Sequence, residues 1–148
     1  MTQSQQLELI KVLPADGSPV SFEEDATIKT RATNGECTSG TQQIHLRSSM
    51  GKKYIGNKPK TECTSTAKYM QIDTVLFRRH WLFGWGSPTE HTGRAYNTHK
   101  FKHRGVARKC NGYKKHDWRA VNTHFIIDKY GCKIMLYSST EKEGVSCS

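Results

Sequence analysis

Residues 69–77 read YMQIDTVLF and run without a break into RRHWLFGWGSP at residues 78–88. Met70, Ile72, Thr74 and Leu76 alternate with Tyr69, Gln71, Asp73, Val75 and Phe77. A period of two, rich in β-branched and aromatic residues, is the pattern of a strand whose successive side chains point to opposite faces. The strand delivers the chain to two arginines and a histidine, then to Trp81, Leu82, Phe83 and Trp85, interrupted by Gly84, Gly86 and Pro88. That succession predicts a strand end opening into an exposed aromatic and cationic turn, with residues 89–95 as loop.

Working outward, the same alternation recurs. Residues 96–104 (YNTHKFKHR) put Asn97, His99, Phe101 and His103 on one side and Thr98, Lys100, Lys102 and Arg104 on the other. Residues 118–127 and 132–137 predict a hairpin turning through Asp128, Lys129, Tyr130 and Gly131, with Trp118 and Phe125 in the core. Residues 27–32 and 41–47 are shorter strand candidates, and a last short strand ends at Cys147. No stretch of ten or more residues carries a helical period, and no internal repeat is present. Strands of this length separated by turn signals predict an all-β fold, an antiparallel β-sandwich of general immunoglobulin-like architecture, with a small barrel as the alternative.

The 148 residues fit one domain, and a mean hydropathy of −0.73 predicts a thin core. Residues 1–26 read as an N-terminal extension and residues 27–148 as the sandwich. In the extension, Leu7, Leu9, Ile10 and Val12 fall within a strand-prone run that predicts docking by strand addition to a partner, an edge strand of the domain itself being the plainer alternative. The five cysteines, Cys37, Cys63, Cys110, Cys132 and Cys147, contain no CxxC pair, which points to disulfides in an oxidising compartment. Sequential pairing of Cys37 with Cys63 and of Cys110 with Cys147 would tie neighbouring strands, leaving Cys132 as a buried small hydrophobe or a link to another chain. No apolar run reaches the roughly 20 residues that span a bilayer. The start, MTQSQQ, carries no charged-then-apolar leader, so the chain reads as a mature secreted protein with an initiating Met, a reduced cytosolic protein being the alternative.

The formal net charge is +10, and residues 1–36 hold six carboxylates against three bases, so the excess lies in the remainder. Between Arg78 and Arg119 eleven Lys and Arg face two carboxylates, Glu90 and Asp117, interleaved with aromatic residues. Cations that neutralise phosphates beside rings that stack are the ingredients of polyanion binding, whether nucleic acid, a cell-wall polymer such as teichoic acid, anionic lipid or an acidic protein. Arg78, Arg79, Trp81, Trp85, Lys100, Lys102 and Arg104 are the predicted binding face. No metal site or cofactor is predicted: His99 and His103 are spaced HxxxH, but on a strand they stand about 13 Å apart. A ribonuclease-like set of His80, His116, His124, Lys114 and Arg119 is the enzymatic alternative, although no short motif ties two of these histidines together.

From about Cys37 to Cys147 the chain resembles the small secreted, disulfide-bonded β-domain proteins of streptomycetes and related actinobacteria. The likeness is carried by FRRHWLFGWG, KCNGYKKHDWRAV, DKYGCKIMLYSS and the final EGVSC. It implies an exported β-sandwich with two disulfides, some relatives of this sort serving as adaptors in secreted toxin particles. The expectation that follows is a secreted, non-enzymatic binding or adaptor module for a protein partner or an anionic polymer, with a basic ribonuclease-like toxin as the alternative.

Overall fold

A computed structural model of the chain describes residue 10, the backbone of residues 20–22 and 28–29, and residues 37–47, 54–80, 82, 84–110 and 114–145. The strands are β1 (Val20–Phe22), β2 (Ile28–Lys29), β3 (Cys37–Thr41), β4 (His45–Leu46), β5 (Tyr54–Gly56), β6 (Pro59–His80), β7 (Gly84–Lys102), β8 (Ala107–Lys109), β9 (His116–Ile127) and β10 (Lys133–Val145). All pairings are antiparallel, in a seven-stranded sheet ordered β2-β1-β10-β9-β6-β3, with β7 along β6, and a three-stranded sheet ordered β4-β5-β8. The chain is all-β and its sheets curl into a half-barrel. No helix among the described residues is long and apolar enough to cross a membrane.

The organising strand is longer than its clearest sequence signal. β6 has 22 residues, enough to take β3 at residues 59–63 and β9 at residues 69–78 along one edge while β7 follows the other. Met70, Ile72, Thr74 and Leu76 are completely buried on one face, and Val75 and Phe77 are buried on the other. Both faces are therefore covered over this stretch. On the first, Ile44, Ile55 and Val106 from the small sheet and its connections pack on Leu76, Trp118 and Ala120. That contact is the two-layer packing of a sandwich, with one layer reduced to three short strands. On the second face, Ile10 and Trp85 pack on Val75, Phe77, Val121 and Tyr137.

A polar lane crosses the first face. Thr74 donates to Asn122 (2.6 Å), Asn122 donates to Ser138 (3.2 Å), and His124 joins Ser138 (2.7 Å) to Thr61 (2.8 Å). Each of these groups is buried and partnered, so the lane fixes register without leaving an uncompensated dipole.

Several expectations are corrected. Residues 89–95 form strand and not loop, because β6 supplies a partner along their whole length. Gly86 pairs with Arg78 and Thr89 with Leu76, a one-residue register shift. Ser87 at φ 47° forms the bulge that carries the chain past Pro88, a residue an edge strand tolerates because one side needs no partner. β1, placed by sequence in the extension, pairs with β10 inside the sheet. Ile10 has helical backbone and packs on its own domain, its carbonyl accepting from Arg119 Nη2 at 3.3 Å, while Leu7, Leu9 and Val12 lie outside the described residues. Cys132 is exposed and not a buried small hydrophobe, since it follows the tight turn that Asp128 holds by accepting from the Tyr130 and Cys132 amides. Phe125 is half-buried on the open part of the second face, whereas Trp118 is core as expected.

Candidate functional site: a cationic cleft at the hairpin tip

Cys37 and Cys63 stand directly opposite one another on β3 and β6 and are joined by a disulfide, as expected, at a Cα–Cα distance of 4.0 Å. Cys110 is also disulfide-bonded, and its expected partner, Cys147, lies outside the described residues. These links lie in the framework. The concentration of chemistry lies at the other end of β6.

There the strand ends in Arg78, Arg79 and His80, and alternation sends Arg78 and His80 to one face and Arg79 to the other. β9 begins at His116, and Arg78 pairs with Trp118, so two further steps of that register set His80 opposite His116. Lys114 and Lys115 enter just before β9. Among the described residues, a recess of about 510 Å3 is lined by Arg79, His80, Lys115, His116 and Asp117. An adjoining one of about 370 Å3 is lined by Arg78, Arg79, His80, Gly86, Ser87, Lys114 and His116.

The groups around this cleft are positioned. The Leu82 amide donates to His80 Nδ1 at 3.1 Å, so the neutral ring carries its proton on Nε2. Arg79 lies 3.8 Å from Asp117 and 5.8 Å above the Trp85 ring, while Asp117 also accepts from the Gly144 amide at 2.9 Å. The carboxylate of the cleft is thus committed to Arg79 and the backbone. Arg108 lies behind the cleft, donating to the carbonyls of Leu76 (3.1 Å) and Ser87 and sitting 5.0 Å over Trp118. His116 meets the Trp118 ring edge-on at 6.1 Å. Burial, then Arg78, Lys114 and Arg108, lower its pKa from the usual value, against the opposing pull of Asp117. It is therefore neutral at neutral pH.

The predicted binding face divides. Arg78, Arg79 and Trp85 belong to the tip, where Trp85 is half-buried against the core cluster below it, and Trp81 lies outside the described residues. Lys100 and Lys102 sit at the other end of β7, roughly 45 Å of strand from Gly86, with Arg104 just beyond. Lys100 pairs with Glu62 at 3.7 Å, and Lys102 stands opposite Lys60. The ribonuclease-like set divides as well. His80, His116 and Lys114 meet at the cleft, but His124 is wholly buried in the polar lane. Arg119 is buried opposite Phe77, bonded to Ser139 (2.6 Å) and paired with Glu141 (3.6 Å).

Sequence reasoning missed the role of Arg108, and it missed a strip of side chains on the second face. In that strip Tyr69 meets Tyr96 (5.2 Å) and Phe125 (6.2 Å), and Arg94 reaches the Tyr69 hydroxyl at 3.1 Å. The available signal was the odd-numbered face of β6, but which residues oppose it depends on strand register. His103 is buried and stacked on Phe101 (6.2 Å), while His99 is exposed. Among the described residues no three His, Cys, Asp or Glu side chains are grouped to hold a metal ion. No protein-family model, curated protein or solved structure matches this chain.

Proposed function

We propose that the protein is a secreted binding module that engages a phosphate-bearing anionic polymer through the cleft at the β6–β7 tip. The observation that carries this reading is the convergence of Arg78, Arg79, Lys114 and Lys115 with His80 and His116 on two adjoining recesses, whose carboxylate, Asp117, is tied to Arg79. Cations arriving from two strand ends at one concave site give an anion several simultaneous contacts, which a row of cations along one strand does not. The cross-link between Cys37 and Cys63 and the resemblance to exported actinobacterial β-domains support an extracellular setting.

The test is a titration of a labelled 2′-O-methyl oligoribonucleotide, followed by fluorescence anisotropy across salt concentrations. Four phosphate contacts predict a plot of log affinity against log salt with a slope of about −3. A slope near zero, or no binding at low salt, would remove the reading.

A further inference from the structure

The cleft holds more than charge. Two imidazoles from opposing strand ends share it with an arginine and a lysine on the same recess. We infer that it cleaves single-stranded RNA, His116 taking the proton of a ribose 2′-hydroxyl while Arg78, Lys114 and the Nε2–H of His80 hold the scissile phosphate. This rests on the polyanion reading and adds a reaction to it.

RNA carries its own nucleophile beside each phosphodiester, so the protein needs to supply only a base and stabilisation of charge on the phosphate oxygens. In the reaction the 2′-oxygen bonds to phosphorus as its proton passes to His116. The bond from phosphorus to the 5′-oxygen breaks, and the leaving oxygen takes a proton from water. The hydroxide so formed takes back the proton held by His116, leaving a 2′,3′-cyclic phosphate and a 5′-hydroxyl.

The two histidines divide the work by their surroundings. The Leu82 amide occupies His80 Nδ1, which makes that ring a fixed donor through Nε2 and unsuited to accept a proton there. His116 is the ring held neutral by burial and by Arg78 from β6, Lys114, and Arg108 from β8, with Asp117 of β9 opposing them. The cleft lies at one end of the sheet, where β6 stops and β9 starts.

The test uses a single-stranded RNA oligonucleotide and its fully 2′-O-methylated counterpart, which binds but cannot react. The whole protein is expected to bind both and to cut only the first, yielding cyclic-phosphate ends. The rate should rise with pH and reach half its plateau below the ordinary imidazole value of about 6.5, as a base with a depressed pKa requires. His116→Gln should lower cleavage about 100-fold or more, a loss at least tenfold greater than any loss of affinity. His80→Asn keeps an oxygen to accept from Leu82 and loses the ring donor, and should also slow cleavage. Thermal unfolding of each variant checks that the fold is intact. Binding of the methylated strand with no cutting of RNA overturns the cleavage and leaves the binding reading standing. Cutting undiminished in His116→Gln overturns it too, and the absence of both binding and cutting removes both.

Discussion

The two ends of the β6–β7 hairpin have similar compositions and different consequences. At the far end Lys100 and Lys102 lie on the same side of one strand, one ion-paired to Glu62 and the other opposite Lys60. At the tip, Arg78 and Arg79 meet Lys114, Lys115 and two histidines delivered by the start of another strand. Charge density in the sequence is alike in the two regions. Among the described residues, the cations at the tip share a concavity because a second chain segment closes on the first, and on the proposed reading an anion there would meet them from several sides.

Acid is expected to divide the molecule most deeply. Burial pushes the His124 pKa down to about 3, and burial also lowers His103 and His91. Because these folded-state values lie below the unfolded one, the unfolded chain binds more protons, and stability falls as pH drops from about 6.5 toward 3. The loss from His124 alone is on the order of 4 kcal/mol, read as a falling denaturant midpoint across that range. His124→Gln, which can still bridge Thr61 and Ser138, should flatten the dependence.

Removing the framework link at the far end comes next. Cys37→Ser with Cys63→Ser opens a closure across a sequence separation of 26 and should cost roughly 3–4 kcal/mol in chemical denaturation. Affinity for the methylated oligonucleotide should persist while the protein is folded. A comparable loss of affinity would mean that the two ends are not independent.

Charge reversal tests the contrast itself. Arg78→Glu with Lys114→Glu should weaken oligonucleotide binding about 100-fold, as the loss of two charge-assisted contacts implies. Lys100→Glu with Lys102→Glu should change it less than threefold at moderate salt, on the screening expected of distant exposed charges. Equal effects would erase the distinction between the ends.

A smaller effect is expected between them. A Cβ on Gly93 would lie 2.5 Å from His103 Cδ2, on the face where His103 is buried. Gly93→Ala should cost about 1–3 kcal/mol in denaturation, as overpacking does, with the tip's affinity unchanged.

The strand class was readable because a period of two is local. Residues 69–77 and 118–127 needed only their own alternation to be assigned, and Cys37 with Cys63 needed only one intervening hairpin. The strand through residues 89–95 was not readable, since Gly84, Gly86 and Pro88 signal interruption and only the pairing to β6 overrides them. At the candidate site, Arg78, Arg79, His80 and Lys114 were visible as basic residues, but their grouping was not. The sequence placed Lys100, Lys102 and Arg104 with Arg79 and left His124 and Arg119 beside His80, because residue type does not reveal which face or which strand end a side chain occupies.

Sequence alone thus determined the all-β character, the Cys37–Cys63 cross-link and the abundance of cations, all properties of short segments or of composition. Tertiary structure decided which cations stand together. The register that sets Arg78 against Trp118 carries His116 to His80 and leaves Lys100 at the opposite end of the hairpin. That register is a relation between residues some forty apart, enforced by burial on both faces of β6, and no local pattern encodes it.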